Sequence, residues 1–393
     1  MSKSKDFIYS IMSNVLLMVL MQLFLIPLFS KMHSSKEFGE FILVLTLVNI
    51  ISPILGNSLN NIRLINKNNV NLVESRYIFT IILGVILSII ITFIYSWKQQ
   101  FSHINSIYAS LWAGMLLIRS YLFVYYRIDF RFKSLLNISI MASIVMLIGG
   151  ILMYYSELSI FIVLFISEFV MSILMIFDYK DKFYDMKLRW LSVKEFKSYV
   201  ELICANSVLN LINYSDRILI GLFIGTLYVP LFFIATTIGK VSNMLINPIV
   251  TVLLSYEVDN DHNDDSARLG KTFKLIILVS VVISIIISII SWIFIFIFYN
   301  GYLNQVKGII FLANLGVILM SSSAILQLKL VANSLFKQNL IINIVTLIII
   351  FLLSLMLTKI FNIYGYAIAL IIAAIFKHFA VYNRVLKVIS SEG

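Results

Sequence analysis

The chain has 393 residues, of which 61% are hydrophobic and only 12% are charged, and its mean hydropathy is +0.99. No water-soluble domain of this length has such a composition, so the sequence indicates a polytopic membrane protein. The formal net charge of +11 would suggest nucleic-acid binding in a soluble chain, but the positions of the basic residues, given below, indicate another origin. The single cysteine, Cys204, excludes a disulfide framework and a thiolate metal cluster.

Runs of about 20 apolar residues, the length that crosses a ~30 Å hydrocarbon core, recur along the whole sequence. They predict an all-α protein with twelve membrane-spanning helices. The predicted helices cover residues 7–30, 38–62, 77–97, 104–126, 134–155, 158–177, 198–223, 228–255, 273–299, 308–333, 340–358 and 362–384. The first run lacks the cleavage site of a signal peptide, so we expect it to be retained as a helix.

The basic residues predict the orientation, because cytoplasmic loops hold the excess of Lys and Arg. With both termini in the cytoplasm, few of the 30 basic residues fall on the outer side, namely Lys31, Lys36, Lys98, Lys307 and Lys359. Arg119, Arg217 and Lys240 lie deep within predicted helices, and the remainder lie on the cytoplasmic side. The positive charge therefore reflects membrane topology, and nucleic acid is not an expected partner.

The longest cytoplasmic connection, residues 178–197, separates six predicted helices from six. It predicts an N-terminal bundle with its cytoplasmic linker, 1–190, and a C-terminal bundle, 191–393. At an offset of 191 residues, Asn49 on the second helix aligns with Lys240 on the eighth. Because six crossings return the chain to the same side, the halves would form a parallel repeat around a central cavity. Chance similarity between two amphipathic helices is the alternative.

Polar stripes on three predicted helices indicate a transport pathway. On the seventh helix the spacing i, i+4, i+7 and i+11 places four polar side chains on one face: Asn206, Asn210, Asn213 and Arg217. The corresponding stripes are Asn49, Ser52, Gly56, Asn60 and Arg63 in the first half and Thr236, Lys240, Asn243 and Asn247 in the second. Such groups at bilayer depth need a partner or a water-filled cavity, so we expect these faces to point inward. For the asparagines, helix packing is the alternative.

Two short motifs resemble those of a known family. The seventh predicted helix contains DRILIG at residues 216–221, and KEFGEF at residues 36–41 reads as the loop into the second helix. With its twelve predicted helices, the chain resembles the bacterial polysaccharide-biosynthesis or O-antigen flippases, a branch of the multidrug, oligosaccharidyl-lipid and polysaccharide exporter superfamily. It departs from the family pattern at Pro230, where a glycine is expected.

The resemblance implies two six-helix bundles that flip a lipid-linked sugar by alternating access. The cargo would be an undecaprenyl-pyrophosphate-linked oligosaccharide, a repeat unit of O-antigen lipopolysaccharide or of an exopolysaccharide. It would move from the cytoplasmic to the outer leaflet of the bacterial inner membrane. The expected partners are this substrate and membrane lipids, with a polysaccharide polymerase as a candidate contact.

Cations and amides inside the helices are the candidate ligands for such a headgroup. Arginine can hold a phosphate through two parallel hydrogen bonds, and asparagine can bond to glycan hydroxyls. The candidate substrate-binding residues are Arg119, Arg217, Lys240, Asn206, Asn210, Asn213, Asn49, Asn243 and Asn247. Tyr108 and Trp112 lie on the helical face of Arg119 and predict either a sugar-stacking surface or an interfacial aromatic belt.

Two carboxylates inside predicted helices, Glu168 and Asp216, are the candidate ion-coupling residues. Each could bind H⁺ or Na⁺ during an antiport cycle. Alternatively, Glu168 balances Arg119, and Asp216 pairs with Arg217 or Lys240, only to make burial tolerable. The sequence contains no metal-binding or catalytic motif, so no metal, cofactor or enzyme activity is expected.

Three alternatives remain open. A drug and cation antiporter of the same superfamily would need a more acidic interior, because its substrates are cationic. A membrane-embedded polysaccharide polymerase is expected to have a large outer loop with arginines, whereas every predicted outer loop is short. A lipid II flippase is expected, by family resemblance, to have two additional helices.

Overall fold

The computed structural model describes residues 3–68, 73–156, 158–183, 189–241, 266–332 and 335–392. Within these ranges the chain is almost entirely helical and has no strand, which confirms the predicted all-α membrane fold. The chain divides into two compact units, Met1–Asn210 (unit 1) and Leu211–Gly393 (unit 2). This division falls inside the helix Val193–Phe223, whereas the predicted boundary, between residues 190 and 191, lies in the connection before that helix.

Unit 1 contains the N-terminal helices of the chain. Its helices in chain order are α1 (Lys3–Leu20), α2 (Ile26–Met32), α3 (Ser35–Ile65), α4 (Glu74–Lys98), α5 (His103–Ile128), α6 (Phe132–Ser156), α7 (Ile160–Asp178) and the first part of α8 (Val193–Phe223). A π-helical turn, Met21–Leu25, joins α1 to α2. Helix α3 packs against α4 and α5. In its most apolar stretch 67% of the residues are buried, compared with 33% in that of α4. The polar side chains of α3 therefore lie among other helices.

Unit 2 contains the rest of α8 and the later helices. These are α9 (Thr226–Val241), α10 (Ser266–Phe298), α11 (Leu303–Val306), α12 (Ile310–Ala332), α13 (Phe336–Phe361) and α14 (Ile363–Glu392). Helices α12 and α14 pack together, and more than half of the residues in their most apolar stretches are buried. In the corresponding stretches of α10 and α13 only 22% of the residues are buried. The exposed isoleucines and leucines of α10 and α13 fit a lipid-facing surface.

Ten helices in the described part of the chain are long and apolar enough to cross a membrane. Two of the twelve predicted crossings do not have this combination of length and hydropathy in the described residues. Helix α8 is long enough at 31 residues but contains the polar stripe, and α9 covers only the beginning of the predicted helix 228–255. The remainder of that helix, with Asn243 and Asn247, lies outside the described residues. About twelve crossings therefore remain consistent with the fold.

Helices α3 and α8 begin with the same reciprocal capping arrangement. Ser34 Oγ accepts from the Glu37 N–H at 3.3 Å, and Glu37 Oε2 accepts from the Ser34 N–H at 2.9 Å. Ser192 and Glu195 repeat both bonds at the start of α8. These bonds satisfy N–H groups that a helix start otherwise leaves unpaired. The KEFGEF segment therefore forms the first turns of α3, and its prediction as a loop was wrong.

Candidate functional site

A polar cavity of about 530 Å³ lies within unit 1. Helices α3, α5 and α8 supply most of its polar lining. Six asparagines line it, namely Asn49, Asn57, Asn60, Asn61, Asn206 and Asn210, together with the arginines Arg119 and Arg127. Among the described residues that line it, none carries a carboxylate. The cavity therefore offers amide and guanidinium groups to an uncharged polar or an anionic ligand.

The spacing of polar residues along α3 explains the asparagine-rich wall. Asn49, Pro53, Asn57 and Asn61 recur every four residues, so one side of the helix meets the cavity. Pro53 has no N–H, so the Asn49 carbonyl receives no hydrogen bond from it within the helix. The Asn49 side chain donates to the Leu45 carbonyl at 2.9 Å. This wall can consequently supply acceptors from both the backbone and the side chains.

The two cavity asparagines of α8 are held by hydrogen bonds. Asn206 Nδ2 donates to Ser58 Oγ at 3.0 Å, which links α8 to α3 inside unit 1. Asn210 Nδ2 donates to the Asn206 carbonyl at 2.8 Å. Both asparagines also line the cavity. Helix packing and cavity lining, which the sequence left as alternatives, therefore occur together at Asn206.

Arg119 and Glu168 form an ion pair between α5 and α7. Their Nε and Oε2 atoms are 2.8 Å apart, and the Glu168 side chain is 8% exposed. The pairing predicted as one alternative is thus present, while the ion-coupling role of Glu168 stays a prediction. Trp112 is buried, and neither it nor Tyr108 lines the cavity, so the aromatic face before Arg119 does not lead into this cavity.

The predicted stripe on α3 divides between different surroundings. Ser52 Oγ donates to the Ala113 carbonyl of α5 at 2.8 Å, and a Cβ at Gly56 would lie 2.6 Å from Ser120 Cβ. Arg63 pairs with Glu74 at 2.7 Å. Ser52 and Gly56 are buried, as expected for an inward face, but they pack against α5 and do not line the cavity of unit 1.

The remaining predicted residues of the described chain lie in unit 2. Lys240 Nζ donates to both carboxylate oxygens of Asp216 at 2.7 Å and to the Asn213 carbonyl at 3.2 Å. The Asn213 side chain is exposed. None of these residues lines the cavity of unit 1. The pairing of Asp216 with Lys240 is therefore present, and the binding and coupling roles of these residues stay predictions.

Arg217 is packed against aromatic rings in unit 2. Only 4% of the residue is exposed. Its guanidinium carbon lies 5.0 Å from the centre of the Tyr214 ring and 4.8 Å from that of Phe233. Both distances are typical of cation–π contacts, which stabilise a buried arginine. Its predicted contact with substrate also stays a prediction.

Among the asparagines and arginines that line the cavity, three were not predicted from the sequence: Asn57, Asn61 and Arg127. Arg127 lies in the last turn of α5. A basic residue at such a position is readily attributed to the excess of Lys and Arg on the cytoplasmic side. Its Nη1 donates to Asn60 Oδ1 and Asn61 Oδ1, each at 2.9 Å. The four-residue repeat from Asn49 through Pro53 to Asn61 is the signal that could have identified the two asparagines.

Solved structures of membrane transporters share this fold at low sequence identity. The lipid II flippase MurJ, in an inward closed conformation, matches with a TM-score of 0.74 at 15% identity, over 97% of this chain and 87% of that one. An inward-facing multidrug resistance MATE family transporter of the MOP superfamily matches with a TM-score of 0.71 at 10% identity, over 98% and 95%. A MOP superfamily transporter from Pyrococcus furiosus, for which a reverse polarity of the binding pocket suggests a different function, gives 0.65 at 14% identity, over 98% and 96%.

The sequence itself identifies the family. No curated protein matches it. Residues 28–268, more than half of the chain, match the family described as polysaccharide biosynthesis protein. The chain therefore has the fold of the MOP superfamily and belongs to the polysaccharide biosynthesis protein family.

Proposed function

We propose that the protein is a flippase for an undecaprenyl-pyrophosphate-linked oligosaccharide, the repeat unit of an O-antigen or an exopolysaccharide. It acts in the bacterial inner membrane with both termini in the cytoplasm and moves the headgroup to the outer leaflet by alternating access. The observation that carries the proposal is the cavity of unit 1 with its asparagines and arginines. Membership of the polysaccharide biosynthesis protein family supports the substrate class.

The chemistry of the cavity suits a glycan attached to a pyrophosphate. Six asparagine amides provide both donors and acceptors for sugar hydroxyls, and two guanidinium groups favour an anion. The volume of about 530 Å³ lies in the ~300–1,000 Å³ range of small-molecule sites. The prenyl chain can stay in the hydrocarbon, so only the polar headgroup needs this shelter.

The lack of carboxylates among the described lining residues favours this substrate over a cationic drug. A site for cations concentrates negative charge, because complementary charge raises the local concentration of the ligand. The Glu168 carboxylate, which contacts the lining residue Arg119, is already paired with that guanidinium. The charge balance of the cavity thus supports a lipid-linked anionic sugar rather than a multidrug substrate.

Coupling to H⁺ or Na⁺ is part of the proposal and involves the two ion-paired carboxylates. The substrate headgroup and the Glu168 carboxylate would compete for Arg119, so a cation on Glu168 would release the guanidinium for the substrate. The Asp216–Lys240 pair offers the same chemistry in unit 2. Each coupling free energy is reciprocal, so substrate binding would also favour the cation-bound carboxylate.

Liposome reconstitution tests the proposed function. Purified protein would be inserted into vesicles that contain a fluorescent prenyl-pyrophosphoryl oligosaccharide, and a membrane-impermeant quencher would report the fraction in the outer leaflet. We expect the protein to bring the inner-leaflet probe within reach of the quencher, whereas in protein-free vesicles the inner-leaflet probe stays protected. Transport of a fluorescent cationic dye, with no movement of the glycolipid, would instead support the antiporter.

A further inference from the structure

The arginines at one end of the helices of unit 1 differ in how their charge is balanced. On the proposed orientation this end is cytoplasmic. Three of them pair with a carboxylate within 4 Å: Arg63 with Glu74 at 2.7 Å, Arg76 with Glu195 at 3.6 Å, and Arg131 with Asp178 at 2.7 Å. These three arginines therefore have most of their charge compensated by the protein.

Arg127 lies at the same end but is held by neutral groups. Its Nη1 donates to Asn60 Oδ1 and to Asn61 Oδ1, each at 2.9 Å. In the described part of the chain, no carboxylate forms a salt bridge with it. Amide oxygens orient the guanidinium without cancelling its charge. Arg127 therefore keeps a net positive charge at the wall of the cavity.

The support for Arg127 is itself fixed in place. Asn60 is 1% exposed, and its Nδ2 donates to the Ser120 carbonyl of α5 at 3.0 Å. The two asparagine bonds occupy Nη1, which leaves the edge formed by Nε and Nη2 for a ligand. That edge matches two oxygens of a phosphate in a pair of parallel hydrogen bonds. A guanidinium that is already oriented loses less entropy when it binds.

We propose that Arg127 is the principal anion ligand of the cavity and binds the pyrophosphate of the lipid-linked sugar at the cytoplasmic end of α5. Arg119, eight residues earlier, lies about 12 Å deeper along the helix and is balanced by Glu168, so the glycan extends toward it. This assignment rests on the proposed function and adds the orientation of the headgroup. The bound chemistry is a pyrophosphate, from a prenyl lipid or free in solution.

Calorimetric titration of the purified full-length protein in detergent tests the assignment. The probes are farnesyl pyrophosphate, farnesyl monophosphate and inorganic pyrophosphate. We expect farnesyl pyrophosphate to bind the Arg127→Gln variant about 10- to 100-fold more weakly than the wild type, the fold-change of a charged hydrogen bond. Arg127→Lys, which keeps the charge but not the paired geometry, should fall between them.

Asn61→Asp is the sharpest variant, because it leaves Arg127 in place. It exchanges an amide for an isosteric carboxylate 2.9 Å from the guanidinium, so it should neutralise the charge and weaken binding as much as Arg127→Gln does. Arg131→Gln, which removes a compensated charge at the same end of unit 1, is the matched control and should bind like the wild type. If Arg127→Gln does not fold, the affinity of the Asn61→Asp variant tests the assignment of Arg127.

The outcomes separate this inference from the proposed function. Wild-type affinity in both Arg127→Gln and Asn61→Asp, or an equal loss in Arg131→Gln, overturns the assignment while glycolipid flipping by the wild type still stands. Stronger binding of inorganic pyrophosphate than of farnesyl pyrophosphate would assign the site to a free anion and overturn the lipid source. A wild type that neither binds a prenyl pyrophosphate nor flips the glycolipid removes the function and the inference together.

Discussion

Arg127 of unit 1 and Lys240 of unit 2, both cations within helices, are stabilised in different ways. In unit 1, Arg119 and Arg127 line a cavity, and Arg127 bonds only to amides among its described contacts. In unit 2, Lys240 is held between both oxygens of Asp216, and Arg217 is packed on two aromatic rings. The comparison teaches that a charge within a membrane helix identifies a ligand site only when it is accessible from a cavity, and most directly when its partners leave it uncompensated.

The largest expected effect comes from breaking the unit 2 pair on one side. Asp216→Leu would leave Lys240 buried without its counter-charge, which costs about 3–5 kcal/mol of stability. Thermal denaturation in detergent, monitored by size-exclusion chromatography, measures the loss of stability. The double variant Asp216→Leu with Lys240→Met should recover most of it. A single variant as stable as the wild type would show that Lys240 does not depend on Asp216.

Neutralising both charges of a pair compares the two units directly. Arg119→Gln with Glu168→Gln removes a cavity cation without leaving an orphan carboxylate, so flipping should fall about 10- to 100-fold, as expected for about 1.5–3 kcal/mol of charged hydrogen bonding. Asp216→Asn with Lys240→Gln is the matched double in unit 2. Equal losses would extend substrate binding to unit 2, and no loss in the Arg119 double would contradict its role in the cavity.

A substitution at Gly56 tests how closely α3 packs against α5 in unit 1. Gly56→Val would place a Cβ 2.6 Å from Ser120 Cβ and 2.9 Å from the Leu117 carbonyl oxygen. Such overpacking destabilises by about 1–3 kcal/mol, measured as the same thermal shift. Gly301→Ala is the control, because its Cβ would meet no atom within 4 Å. A neutral Gly56→Val would mean that α3 and α5 are farther apart.

The smallest expected effect concerns a cavity amide. Asn206→Ala loses the bond to Ser58, which in a membrane protein is worth about 0.6 kcal/mol of stability, and because one of six cavity amides is removed, flipping should fall less than in the Arg119 double variant. Asn213→Ala on the same helix is the control for stability, because the bond from Lys240 goes to the Asn213 backbone carbonyl and survives the change. Equal stability losses in the two variants would contradict the role of the Asn206 side chain.

Hydropathy was sufficient to predict the fold class, because lipid permits only helices or closed barrels and each apolar run is long enough to span. The burial cost of polar groups identified Asn49, Arg119, Asn206 and Asn210 as inward-facing, and all four line the cavity. Their binding roles remain predictions.

The rest could not be read from one sequence for physical reasons. Helical periodicity tells which residues share a face, but not whether that face meets a cavity or a neighbouring helix, so the packing of Ser52 and Gly56 against α5 could not be predicted. Arg127 was attributed to the positive-inside pattern, because a basic residue near a helix end has an ordinary explanation. Its amide partners come from a different helix, and only the tertiary structure brings them together.

The central claim is that the cavity of unit 1 shelters the polar headgroup of a lipid-linked sugar. Photo-crosslinking with a prenyl-pyrophosphoryl glycan that has a photoreactive group on its first sugar, followed by peptide mass spectrometry, tests it most directly. The account predicts crosslinks to cavity residues of α3 and α5, among them Asn57 and Asn61, and their loss in Arg127→Gln. Crosslinks confined to the lipid-facing surfaces of α10 and α13 would contradict it.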